Sequence, residues 1–135
     1  MMADYYTMFS TTISYQTEDQ RDWLLDKLGS GVIDDNDGES YPVCDIVDEP
    51  GDQAIWVYEN EGGGDLDALF DIVAEFQKLF SIETPWHISW ANTCSKPRLE
   101  AFGGGAVFIH KGELAYMSTD SWIAQKYKKE NDVQL

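Results

Sequence analysis

Phe9, Thr11, Ile13 and Tyr15 alternate with Ser10, Thr12 and Ser14. A period of two predicts a strand with one buried face. Thr17-Glu18-Asp19-Gln20 has the spacing of a capping box, with early acids that complement the helix dipole. The helix it opens turns Trp23, Leu24 and Leu28 inward and is expected to stop at Gly29, a C′ glycine. Val43, Cys44, Ile46 and Val47 predict a second strand, and Ala54–Tyr58 a third that is apolar enough to be central. Between them Glu49-Pro50-Gly51-Asp52 is a turn, with Pro setting φ and Gly51 expected at positive φ, so the two strands form a hairpin.

Gly62-Gly63-Gly64 breaks the chain, and Asp65 caps a second helix. Leu66, Leu69, Phe70, Val73, Phe76 and Phe80 recur at helical spacing and mark a core stripe. Pro85 ends the turn that follows. Trp86, Ile88 and Trp90 alternate with His87 and Ser89 in a fourth strand, and 92–102 reads as a polar loop. Ala106–Ile109 and Leu114–Met117 flank a hairpin turn with Lys111-Gly112 at its tip. Thr119 or Asp120 caps a last short helix bearing Trp122, Ile123 and Tyr127, and a polar, frayed tail follows Lys128.

The order β-α-β-β-α-β-β-β-α predicts one α+β domain over residues 1–135. Its first six elements follow the βαββαβ pattern of a ferredoxin-like core, an antiparallel sheet with two helices on one face. A C-terminal hairpin and short helix extend it. Another mixed sheet with a different strand order is the alternative.

Charge changes this picture more than composition does. A 43% hydrophobic fraction with five Trp fits a folded domain. No apolar run approaches the roughly 18 residues that cross a membrane. The first ten residues lack the basic-then-apolar order of a secretory signal, so cytoplasmic residence is expected. Two cysteines make no disulfide scaffold. The net charge is −16, which opposes direct contact with nucleic acid or anionic membrane and suits a basic protein partner. Between positions 28 and 77 there are fourteen acids and no Lys or Arg. Solubility alone is the plain alternative for such a charge.

Asp34-Asp35-Asn36-Asp37-Gly38-Glu39 invites a calcium-loop reading, but aligning Gly38 with the invariant glycine puts Ile33 at the first ligand position and Cys44 at the twelfth. Two Cys and two His at 44, 87, 94 and 110 have no zinc spacing, so no metal or cofactor is expected. In the polar loop Cys94 is the one candidate reactive thiol, with Lys96 and Arg98 to lower its pKa and His87 as the better candidate partner. Gly103, Gly104 and Gly105 would let backbone amides converge on an anion beside those cations. They fit neither phosphate-loop fingerprint, because a strand follows them, and a bulge or a tight start to that strand is the plainer use of three glycines.

Two stretches carry a resemblance: Met2-Ala3-Asp4-Tyr5-Tyr6 with Phe9-Ser10, and Ala91-Asn92-Thr93-Cys94-Ser95-Lys96-Pro97-Arg98 with Ala101-Phe102-Gly103-Gly104-Gly105-Ala106. Here the chain is similar to a group of small, uncharacterised bacterial and mobile-element proteins. The likeness spans nearly the whole chain in order and is sharp only in those stretches. The group has no assigned activity, so the resemblance implies no catalytic residue; it does make the central loop a group hallmark.

The expectation is therefore a non-enzymatic acidic interaction protein. Its type is the nucleic-acid mimic that inhibits a basic, nucleic-acid-binding partner, as anti-restriction and anti-CRISPR proteins do. Asp34, Asp35, Asp37, Glu39, Asp48, Glu49, Glu59 and Glu61 are the candidate contact residues. The alternative is a small-anion or small-ligand module, or weak enzyme, on the Cys94–Gly105 loop. A third reading is a structural subunit that dimerises through an exposed part of its sheet.

Overall fold

The computed structural model describes residues 5–60, 64–99 and 101–133. In chain order they form β1 (Tyr5–Ser14), α1 (Glu18–Ser30), β2 (Val32–Ile33), β3 (Ser40–Tyr41), β4 (Asp45–Glu49), β5 (Ala54–Glu59), α2 (Leu66–Leu79), β6 (Trp86–Cys94), β7 (Gly103–His110), β8 (Glu113–Ser118) and α3 (Thr119–Val133). The architecture is mixed α+β, as expected. Six strands make one antiparallel sheet in the order β4-β5-β1-β6-β7-β8, and β2 and β3 make a separate two-stranded hairpin. β1 and β4 run parallel with β5 between them, and α1 connects them. β5 and β6 run parallel with β1 between them, and α2 connects those.

Local chemistry sets the helix starts. Thr17 Oγ1 accepts the Gln20 N–H at 3.2 Å, while Gln20 Oε1 reaches back to the Gln16 N–H at 2.8 Å. Asp65 Oδ1 accepts the Ala68 N–H at 3.0 Å and opens α2. Leu24 and Leu28 of α1 and Leu69, Val73 and Phe76 of α2 are buried against Phe9, Ile13, Ile55, Val57, Ile88, Val107 and Ile109 of the sheet. Trp23 lies against Phe76 and Phe80, at centroid distances of 5.9 and 6.0 Å. Buried Gln77 fastens α2 to the last hairpin: its amide donates to Ile109 O and its carbonyl accepts the Gly112 N–H, both at 2.9 Å. The hairpin turns through Lys111 (φ 54°) and Gly112 (φ 80°), the pair predicted for its tip.

Several boundaries differ from expectation. Gly29 lies inside α1, which runs on to Ser30. The end comes where Val43 N–H donates to Leu28 O and ties the helix to the next segment. After Pro50-Gly51-Asp52, the positive φ falls on Gln53 (51°), not on Gly51. Val43 and Cys44 are buried but precede β4. The acidic loop is the tip of the β2–β3 hairpin. The polar loop is shorter than 92–102, because Ala91–Cys94 continue β6 by pairing with Tyr5–Met8 of β1. Gly103–Gly105 belong to β7. Ser118, not Thr119, caps α3, accepting the Ser121 N–H at 3.1 Å. The helix continues past Lys128 to Val133, so no frayed tail begins there. Gly62 and Gly63 lie outside the described residues.

Candidate functional site

The acidic hairpin is held by its own carboxylates. Asp34 Oδ1 accepts the Asn36 N–H at 2.7 Å, and Asp37 Oδ1 accepts the Glu39 N–H at 2.9 Å. Tyr41 donates its hydroxyl to the other Asp37 oxygen at 3.2 Å. Backbone bonds from Asp34 N–H to Glu39 O and from Gly38 N–H to Asp34 O, both 2.8 Å, close the tip, with Gly38 at φ +73°. Asp34 and Asp37 thus shape the loop in the manner of Asx turns. Asp35, Asp37 and Glu39 are exposed.

The other candidate acids separate into three groups. On edge strand β4, Glu49 is half-buried, and Asp45 of the same strand, outside the candidate set, is exposed. Asp48 faces the helices: Arg21 donates to it through Nε at 2.9 Å and also through Nη2, and Tyr15 donates its hydroxyl at 3.5 Å. Asp48 raises the Arg21 pKa through that hydrogen bond. Glu59 is 8% exposed, on the inward side of β5 with Ile55 and Val57. Asp48 and Glu59 therefore do not belong to an exposed contact surface. The period-two alternation of their strands already puts Asp48 with Ile46 and Glu59 with Val57. Glu61 lies outside the described residues. The ion pairs among the described residues engage Asp22, Asp48 and Glu83, and none engages an acid of the hairpin tip or of α2.

Cys94 is half-buried at the end of β6, opposite Tyr5. Lys96 is half-buried, Arg98 is exposed, and Arg98 N–H donates to Lys96 O at 2.8 Å. His87 stands on the same strand seven residues before Cys94, about 23 Å at the strand rise, so the two cannot pair. His110 donates through Nε2 to Glu83 O, 3.0 Å away. The three glycines are paired in the sheet, opposite Trp90, Ala91 and Asn92, and the Gly104 N–H donates to Thr119 Oγ1 at 3.2 Å. Their backbones are extended in a ladder and do not converge on an anion. A Cβ on Gly105 would lie 2.5 Å from Trp90 Cζ2, which is the reason a glycine sits there. The five clefts described for this fold take no lining residue between Thr93 and Gly105.

The concave feature lies beside the acidic hairpin. Val32, Tyr41 and Pro42 form one wall, Asp65, Leu66, Asp67 and Phe70 at the start of α2 form another, and Trp90 and Tyr116 close the far end. The groove encloses about 620 Å³. Its floor is aromatic and its rim carries two exposed carboxylates, Asp65 and Asp67. Trp90 and Tyr116 also border a second cleft of about 490 Å³, overhung by Trp122 and Gln125 of α3. No sequence signal marks the groove, since its walls come from six elements far apart in the chain. Among the described residues no group of three or more His, Cys, Asp or Glu is placed to hold a metal ion, and no helix is long and apolar enough to cross a membrane. Compared with protein-family models, with curated proteins and with solved structures, the chain matches none of them.

Proposed function

We propose that this protein is a non-enzymatic acidic inhibitor that covers the nucleic-acid-binding surface of a basic protein inside the cell. One observation carries the reading: the hairpin tip presents Asp35 and Glu39 outward while Asp34 and Asp37 are used to fix its shape. Carboxylates held on an ordered loop lose less freedom on binding than carboxylates on a flexible tail. Asp45 of the adjoining edge strand and a net charge of −16 extend the negative field, which steers a basic partner at a rate that falls with salt. A mobile-element source, implied by the resemblance of the two motif stretches, is a setting in which such inhibitors act. The order β4-β5-β1-β6, with α1 and α2 as crossovers, supports reading the core as ferredoxin-like, with β7, β8 and α3 added to it.

The test is capture from a cell extract, washed at low salt and at about 1 M salt, where the screening length shrinks to about 3 Å. A basic nucleic-acid-binding protein is expected, released by high salt and displaced by competing duplex DNA. The triple change Asp35→Lys, Glu39→Lys, Asp45→Lys is expected to weaken that partner at least tenfold. Unchanged affinity in the triple variant, or capture indifferent to salt and DNA, would overturn the reading.

A further inference from the structure

Helix α3 has no cover. Every residue from Thr119 to Glu130 is exposed, including Trp122 at 55%, Ile123 at 46% and Tyr127 at 70%. At 100° per residue Trp122, Ile123, Lys126, Tyr127 and Lys129 fall on one stripe of the helix, with Glu130 among them. Lys126 Nζ lies 5.3 Å from the Trp122 ring centroid. A helix of 15 residues is marginal in water without tertiary packing, and this one leaves three large apolar side chains in solvent. Lys126, Lys128 and Lys129 are three of the nine cations in the chain, set within four positions, in a helix that also carries Asp120, Glu130 and Asp132.

The same molecule offers the complement. The groove between the acidic hairpin and α2 is lined by Tyr41, Trp90 and Tyr116 over the buried ring of Phe70, with the exposed carboxylates Asp65 and Asp67 beside them. Asp71, one turn beyond Asp67 on α2, is exposed and continues the negative rim. The chain's own α3 stands past the end of this groove, over the second cleft that shares Trp90 and Tyr116. The groove therefore continues directly from the surface on which α3 begins.

We propose that α3 of one copy lies in the groove of a second copy, reciprocally, giving a twofold dimer. Trp122, Ile123 and Tyr127 would take the aromatic floor, and Lys126 and Lys129 would meet Asp67 and Asp71. Two features single out another copy as the occupant. The helix stripe sets two lysines and one glutamate among aromatic and aliphatic side chains, the groove sets carboxylates beside aromatic rings, and one chain carries both. An isologous arrangement also uses each surface twice, as twofold assembly requires, in the manner of an amphipathic helix seated in a groove. The hairpin tip stays free, so the dimer presents two copies of the acidic surface discussed above.

The experiment uses the full chain, with sedimentation velocity and light scattering from low to high micromolar concentration. Three variants are compared with the wild type: Trp122→Ala; the helix variant Lys126→Glu with Lys129→Glu; and the groove variant Asp67→Lys with Asp71→Lys. A wild-type dimer in low salt is expected, with at least tenfold weaker association in each variant and unchanged circular dichroism of the sheet. Mixing the helix variant with the groove variant restores a dimer, because both interfaces of the mixed pair then join opposite charges. A wild type that is monomeric at every concentration overturns the proposal. So does a dimer unaffected by all three variants, or a mixture that stays monomeric. Partner capture by the hairpin tip is read separately with the triple variant above, so either proposal can fail without the other.

Discussion

Trp90 and Gly105 face each other across β6 and β7, and the indole occupies the place where a side chain on Gly105 would begin. Phe70 of α2 supports the other side of the ring, 5.8 Å away between centroids. Gly105→Ala is expected to destabilise the fold by about 1–3 kcal/mol, the usual cost of overpacking. Gly29 is the internal control. It sits within α1 with nothing inside 4 Å of an added Cβ, so Gly29→Ala is expected to stabilise by about 0.5–1 kcal/mol. Urea unfolding of both variants gives the two signs directly.

Gln77 serves two backbone groups that have no solvent at hand. Gln77→Met keeps the length of the side chain and removes both hydrogen bonds, leaving Ile109 O and the Gly112 N–H without them. The expected loss is about 2–6 kcal/mol, from about 1–3 per stranded group. Hydrogen exchange at Gly112 should accelerate more than at strand centres, because the turn loses its anchor to α2.

Asp34 and Asp35 are neighbours with different work. Asp34→Ala removes the acceptor for the Asn36 N–H and is expected to cost about 1 kcal/mol, as the loss of a capping acceptor does. Its effect should appear as faster exchange at Asn36 and Glu39. Asp35→Ala should leave exchange unchanged and stability within about 0.5 kcal/mol. Equal effects from both would mean that the hairpin is not shaped by its Asx turns.

The two thiols should separate on treatment with a disulfide reagent. Cys94 is half-buried and should react in the native state, whereas Cys44 is buried and should react only on unfolding. Burial, reinforced by the charges of Glu59 and Asp45, pushes the Cys44 pKa up to about 12. An unfolded thiol ionises near pH 8.5. Below that pH both states keep the proton and this group adds no slope. Between about pH 8.5 and 12 the unfolded chain releases a proton that the folded chain holds, so stability falls by up to about 1.4 kcal/mol per pH unit. Tyr15, raised by its own burial and by the charge of Asp48, adds a fall of the same sign above pH 10. Cys44→Ala should flatten the curve between pH 8.5 and 10.

What could be read from sequence was local in origin. Thr17, Asp65 and the Lys111-Gly112 tip each satisfy backbone groups within four residues, so the helix starts and the last hairpin were legible. The extent of β1 and β6 was not. Thr7 Oγ1 meets Asn92 Oδ1 across 85 positions, and neither segment declares itself a strand without the other. The acid-rich stretch was visible as composition, but its division was not. Asp34 and Asp37 build a turn, Asp48 binds Arg21, Glu59 is interior, and Asp35 and Glu39 remain outside. Strand alternation would have turned Asp48 and Glu59 inward. The glycines of β7 have the composition of an anion cradle, whereas the ring of Trp90 fills the space that Gly105 leaves, and Thr119 Oγ1 and the Trp90 backbone crowd Gly103 and Gly104. Nothing in the pattern of α3 announced that its apolar side would find no cover within the chain.

The pairing of β1 also bears on how the chain comes off the ribosome. Residues Phe9–Ser14 pair with β5 and residues Tyr5–Met8 with β6. β1 therefore has no complete partner strand until position 59 and no complete set until position 94. At about 5–20 residues per second, that wait is on the order of 4–16 s for a strand finished at position 14. Through that interval it must not pair with a neighbouring nascent chain. Ser10, Thr12 and Ser14 give the waiting strand one hydroxyl-lined face, so only its other face is apolar until the hairpin of β4 and β5 arrives.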